Sequence, residues 1–544
     1  MASGPFIQVI LPLRLEWEPY YELEGAKVGD RVKVEFAHRE YIGVVSAVNV
    51  KPAVEKILPA APSGLPPIFP QEIAFWRTLA QYYLCTPGEV FKAAYPSVLR
   101  RGKPRKEWAP CGKEPLPAGS PEGMEEVLEG FRRQKTVLVE GSSQDLCLEL
   151  AGRTLRSGKS VLYLVPEITL SSQMEKRIRA RFPDLLLYHS GRTTGTRRTI
   201  AAAVREQAAT LVVGTRSALF LPHHNLGLII VDEEQDPSFK QDSPAPRYHA
   251  RESAIFLAGI HGAHVLLCSP TPSLESLYNA ETGLFVKVKL KENVISPKVL
   301  LIHTSSEARK KGMVGSFSLK LLEPVKKALD AGEKVQLICP SKASVQGFEE
   351  EFRGIFPQAP DDAVAFSTPT SARLLPPFQV VAVLQADALL SREDFRADEK
   401  ALQLLRQLSA RSRLLVVQTR EPGHPVFKAL ESGGNGLAFL EERRSVSYPP
   451  FSRMIHVAIR DKNEKRADFL SALLARELAF LPSVTGPFSP SQDTEAPEQV
   501  RCIRLLFPRD RQLKERKQAL VTVINSFEKA RKYQGHITID VDPV

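Results

Sequence analysis

Between residues 116 and 290, five short apolar runs are separated by segments long enough to be helices: Thr136 to Val139, Ser160 to Val165, Thr210 to Val213, Gly227 to Val231 and His264 to Cys268. A strand that is apolar on both faces must be covered on both, so the pattern predicts a parallel sheet flanked by helices, an α/β unit. Residues 291 to 440 repeat the theme more weakly, with strands expected at Val335 to Cys339, Val380 to Val383 and Leu414 to Gln418. The first fifty residues read differently. Phe6 to Ile10, Arg31 to Phe36 and Tyr41 to Val45 are short strands, with Gly29-Asp30 as a turn, and apolar residues at helical spacing follow over Gln71 to Tyr83. At 544 residues the chain exceeds what one core can serve. The expected division is a β-rich domain over 1–100, a basic linker over 101–115, a first lobe over 116–290, a shorter second lobe over 291–440 and an α+β domain over 441–544.

The net charge of +11 fits an anionic partner such as nucleic acid, although surplus cations also serve solubility. Two stretches concentrate it. Arg100, Arg101, Lys103, Arg105 and Lys106 crowd into seven residues, as a strip for a phosphate backbone or as a solvated tail. Between Arg501 and Lys532 there are ten basic and three acidic residues. The six cysteines form no Cys-x-x-Cys pair, which argues against a zinc knuckle and a disulfide framework and suits a reducing compartment. No apolar run approaches a membrane span, so a cytoplasmic protein without membrane contact is expected.

The sharpest local signal is Leu226 to Asp236, a buried strand that runs into Asp232, Glu233, Glu234 and Asp236. Carboxylates at the C-terminal edge of a parallel sheet occupy the position where nucleotide hydrolases hold magnesium (Asp232) and polarise water (Glu233). A strand ending in a solvated acidic turn is the other reading. Hydrolysis also requires a glycine-rich loop and a lysine after the first strand. Here Thr136 to Val139 continues into Glu140-Gly141-Ser142-Ser143-Gln144-Asp145. Only Gly141 matches the pattern, no lysine follows, and Asp145 would repel a phosphate. Ser157-Gly158-Lys159-Ser160 imitates the end of such a loop, but it closes a helix and opens a strand, and Gly152 is one position too far upstream.

Several segments resemble the PriA family of bacterial replication-restart helicases (primosomal protein N′, superfamily 2). They include Asp232 to Gln241, Pro246 to Arg251, Ser269 to Ser276, Leu164 to Ile168, His189 to Gly191 and Gly214 to Ala218. Further along come Asp394 to Glu399, Gln403 to Leu405, Glu442 to Arg444, Tyr448 to Phe451, Gly486-Pro487 and Asp540 to Pro543, and near the start Pro87 to Pro96. The resemblance implies two RecA-like lobes, the second truncated, between a small N-terminal domain that binds DNA 3′ ends and a C-terminal DNA-binding domain. Departures stand beside it. Only about fifteen residues remain where the family carries a winged helix, and the cysteine-rich zinc insertion expected after Cys339 is missing. The arginine-finger segment has lost its glycines but keeps Arg411 and Arg413, and Gln235 replaces the family's histidine.

These features imply a protein that binds forked or single-stranded DNA and helps reload the replicative helicase without ATP-driven unwinding. An active ATP-dependent 3′-to-5′ helicase with an atypical loop is the alternative, so the enzymatic assignment stays open. Zinc is expected to be absent, and ATP and magnesium are not expected to be used. The helicase loader, the replicative helicase and single-strand-binding protein are the implied protein partners. Asp232 and Glu233 hold the family's catalytic positions, and Gly141, Arg411 and Arg413 its nucleotide contacts. Trp17 and Tyr20 are candidates to stack a terminal base, or else β-barrel core. Arg247, Tyr248 and Arg251 are candidates for the single strand, or else a buried tyrosine between surface arginines. Arg100, Arg101 and Lys103 complete the DNA-binding candidates.

Overall fold

The computed structural model describes residues 5–54, 57–95, 121–167, 172–291, 298–374, 377–390, 394–490, 498–533 and 537–544. Arg100, Arg101 and Lys103 lie outside the described residues.

The first unit is a six-stranded, mostly antiparallel sheet built on Phe6–Ile10, Tyr20–Glu22, Arg31–Phe36 and Arg39–Val48. Its alternating sequence puts Ile7, Val9, Val32, Val34 and Val45 into a small core of their own. The helix Pro70–Tyr83 follows, opened by Pro70 and by Glu72, whose carboxylate accepts the Phe69 N–H at 2.9 Å.

Residues 136 to 289 form a seven-stranded parallel sheet. In spatial order the strands are Phe285–Lys289, Thr136–Glu140, His264–Ser269, Leu226–Asp232, Ser160–Leu164, Leu211–Gly214 and Leu186–Tyr188. The apolar runs are explained by its two faces. Leu138, Leu162, Ile229 and Val231 point into one cluster, while Val137, Val139, Tyr163, Leu228 and Ile230 point into another. The first cluster continues into the N-terminal helices, the second lobe and the last domain. The second draws all its residues from 124 to 290 and is covered by Met124–Arg132, Gln144–Arg156 and Ser172–Arg181.

The second lobe is a five-stranded parallel sheet ordered Lys298–His303, Ser412–Thr419, Phe378–Val383, Val335–Ile338 and Val364–Ser367. The last unit is a four-stranded antiparallel sheet on Ser452–Asp461 and Gln499–Pro508, backed by helices Glu464–Leu478 and Leu513–Arg531. This α/β architecture, with a β-rich unit before two parallel-sheet lobes and an α+β unit after them, is the one the sequence pattern predicts. No helix among the described residues is long and apolar enough to cross a membrane.

Candidate nucleotide site and nucleic-acid surfaces

Asp232 closes its strand at the C-terminal edge of the first-lobe sheet. Its carboxylate accepts the Tyr163 hydroxyl at 2.8 Å. Burial raises its pKa, and the hydrogen bond from Tyr163 opposes that rise. Glu233 follows with φ at +53°, a left-handed turn that swings the chain off the sheet edge. The Gln235 amide donates to the Glu233 carboxylate at 2.6 Å. Across the lobe boundary stands Arg411, whose pKa is lowered by burial while the negative charge of Glu233 pulls it back up. Arg413 is exposed on the following strand.

Only Gly141, Ser142 and Ser143 separate the strand Thr136–Glu140 from the helix that starts at Gln144. Gly141 adopts φ of +124° and donates its N–H to the Ser269 carbonyl at 3.0 Å, back toward its own sheet. A Cβ at Gly141 would lie 3.1 Å from the Leu290 side chain, so the outer side of this turn is packed against the chain. Asp145, in the first turn of the helix, is exposed and pairs with Arg177 at 3.0 Å. Glu140 is held by Lys287 at 2.7 Å. The look-alike segment behaves as a helix-to-strand turn, with Gly158 at φ of +79°. Its Lys159 packs across Gly227, at the edge of the sheet opposite the carboxylates.

The two lobes are joined by buried charge. Glu234 is fully buried and accepts from Arg251 at 2.7 Å, from the Ser273 N–H at 2.6 Å and from the Ser276 hydroxyl at 2.9 Å. From the second lobe, Arg396 reaches Glu275 at 2.6 Å, and Arg443, at the start of the last unit, reaches Glu399 of the second lobe at 2.7 Å. Glu399 also accepts the Leu274 N–H at 2.8 Å and so caps a first-lobe helix. The segments that carry Glu275, Arg396, Glu399 and Arg443 stand out in the sequence, yet it gives these four residues no role. Single letters do not reveal that Glu275 and Arg396, 121 residues apart, will be buried against each other.

Two of the DNA-binding candidates are interior. Tyr248 is 1% exposed and packs edge-on to Phe220 at 5.2 Å, so it offers no stacking face. Arg251 is buried between Glu234 and Glu252, which corrects its placement beside a strand. Arg247 is partly exposed, on the loop whose carbonyl accepts from Lys240 at 2.8 Å. Trp17 is 53% exposed and lies 6.4 Å from Phe36, ring centre to ring centre. Tyr20 is half-buried on its strand.

Three family models match consecutive parts of the chain. A 3′ DNA-binding domain of PriA covers residues 8–96, a DEAD/DEAH box helicase covers 144–279, and the primosomal protein N C-terminal domain covers 444–544. The two PriA domain models match in order on either side of the helicase match. The chain resembles PriA along most of its length. It is 27% identical over 515 residues to the replication restart protein PriA of Bacillus subtilis, with 74% of this chain and 62% of that one aligned. PriA of Rickettsia felis is 26% identical over 81% of this chain and 84% of its own length. For PriA of Treponema pallidum the identity is 25%, over 89% and 92%. Among solved structures, RecG bound to a three-way DNA junction shares 15% identity at a TM-score of 0.37 over 61% of this chain and 50% of that one. Among the described residues no group of three His, Cys, Asp or Glu side chains is placed to hold a metal ion.

Proposed function

We infer that this chain is a fork-binding protein of the replication-restart type, in which the two lobes form a fixed platform in place of an ATP-driven motor. The carrying observation is the three-residue turn Gly141-Ser142-Ser143 opposite a hydrogen-bonded Asp232. A triphosphate cradle needs several inward-pointing backbone N–H groups and a cation. Here the Gly141 N–H is used by the sheet, the side chain in the helix's first turn is an aspartate, and Leu290 covers the turn. Burial disfavours the charged form of Asp232, and one of its oxygens is already engaged by the Tyr163 hydroxyl. The residues present do not fit ATP with magnesium.

Lobe closure in a motor is driven by contacts to the γ-phosphate. In this chain the lobes already meet through Glu399 with Leu274, Arg396 with Glu275 and the attraction between Arg411 and Glu233. Recognition then falls to the outer units. Trp17 beside Phe36 offers an open aromatic face on the N-terminal domain, suited to the base of a 3′ end. A replicative helicase, its loader and single-strand-binding protein are the partners this reading implies.

DNA-stimulated phosphate release tests the reading, with Asp232→Ala as the control. The expected result is no turnover above background in either protein. Turnover that disappears in Asp232→Ala would establish the rival, an active helicase with a rebuilt loop.

A further inference from the structure

The first lobe turns one sheet face toward the other units and leaves the opposite face to its own helices. On that outer face Glu149 is buried at 4% exposure and holds three arginines at once. Arg153 Nε lies 3.0 Å from its Oε1, Arg156 Nη2 3.6 Å from the same oxygen, and Arg181 Nη2 2.5 Å from Oε2. One carboxylate cannot neutralise three guanidiniums, so a double positive charge remains. The arginine side chains are 40%, 47% and 22% exposed while their anchor is not. Gly152 makes room for the cluster, since a Cβ there would lie 3.3 Å from Arg156 Nη1. The neighbouring helix Ser172–Arg181 adds Lys176, with Arg177 paired to Asp145 at 3.0 Å and Arg179 to Glu175 at 2.8 Å.

We propose that this arginine cluster is a contact for the phosphate backbone of double-stranded DNA, separate from the aromatic face of the N-terminal domain. The proposal rests on the fork-binding reading and names where the duplex arm lies. Guanidinium forks match phosphate oxygens, and a shared buried anchor fixes their spacing before the ligand arrives. The surroundings select among polyanions. Among the described residues from 121 to 206 no large apolar side chain is exposed. An acidic protein partner would need such anchors to form a desolvated interface core, and a single strand would need exposed aromatic rings to stack its bases. A duplex held by its backbone needs neither.

The test compares the full chain with the double variant Arg153→Gln, Arg156→Gln, which leaves Glu149 paired with Arg181 and so preserves the fold. Affinity is measured by fluorescence anisotropy across a salt series, for blunt duplex, for a fork and for a single strand with a free 3′ end. On duplex the slope of log affinity against log salt should fall by about 2, close to 0.9 for each phosphate that is no longer neutralised. Affinity for the single strand should not change. An unchanged duplex slope, or an equal loss on the single strand, overturns the proposal. So does competition for the cluster by polyglutamate in the absence of a duplex effect. If the unmodified chain binds no DNA at all, the fork-binding reading fails with it. If the parent binds the fork and the double variant binds every substrate as the parent does, that reading survives and the arginine cluster is overturned.

Discussion

Glu399 of the second lobe accepts the backbone N–H of Leu274 in the first at 2.8 Å, while Arg443 donates to its other oxygen at 2.7 Å. Glu399 and Arg443 are both about 5% exposed, so neither charge has water to fall back on. Glu399→Ala would leave Arg443 with Glu275 alone, at 3.5 Å, and orphan a helix N-terminus, and breaking one side of a buried pair costs about 3–5 kcal/mol. Urea unfolding should show a loss of that size. A loss under about 1 kcal/mol would mean that the lobes are not held together here.

Trp17→Ala removes an exposed ring and should leave thermal stability unchanged. If the ring stacks a terminal base, affinity for a single strand with a free 3′ end should drop by about 1–3 kcal/mol, roughly 5- to 150-fold. Anisotropy titration decides it. Equal affinity for the two proteins would assign the Trp17–Phe36 pair to packing alone.

Tyr248 supplies the opposite case. As core, Tyr248→Phe should preserve both fold and DNA binding, whereas Tyr248→Ala should cost about 3–5 kcal/mol through the cavity it leaves. A selective DNA-binding defect in a stably folded Tyr248→Phe protein would restore it to the nucleic-acid surface.

That contrast marks how far sequence reaches. The five inner strands of the first lobe were legible because a strand covered on both faces must be apolar throughout: the expected Gly227 to Val231 is observed as Leu226–Asp232, and His264 to Cys268 as His264–Ser269. The two edge strands Leu186–Tyr188 and Phe285–Lys289 were not. The shortness of the turn after Thr136–Glu140 was legible too, since strand end and helix start bracket it. Less so were Lys298–His303 and Val364–Ser367, edge strands of the second sheet whose mixed residues imitate loops. Side-chain destinations were the least accessible. Arg247 and Arg251 are four residues apart, one on a loop and the other inside a helix that turns it toward Glu234. Only the packed structure separates them.

Acid should weaken the fold in two windows. Burial pushes the His223 imidazole down to about 4, although the Ala218 carbonyl 3.1 Å from Nε2 pulls the other way. Its folded value lies below the ordinary histidine value, so its contribution is complete above about pH 6.5 and is lost as pH falls through 4. For Glu275, burial alone would raise the pKa, but Arg396, Arg443 and Arg251 overcome it and hold it at about 2. Its contribution is complete above the ordinary glutamate value and is lost as pH falls toward 2. Urea midpoints measured from pH 8 to pH 3 should decline across both windows, and His223→Gln should flatten the upper one. A midpoint that rises on acidification would contradict both assignments.

Central to this account is that the lobes do not cycle with nucleotide. Single-molecule energy transfer between dyes at the exposed Lys159 and Lys334, one on each lobe, measures this on fork-bound protein. With ATP and magnesium added, one unchanged distance population is predicted. A second population that appears with ATP and is absent in Asp232→Ala would contradict the fixed platform.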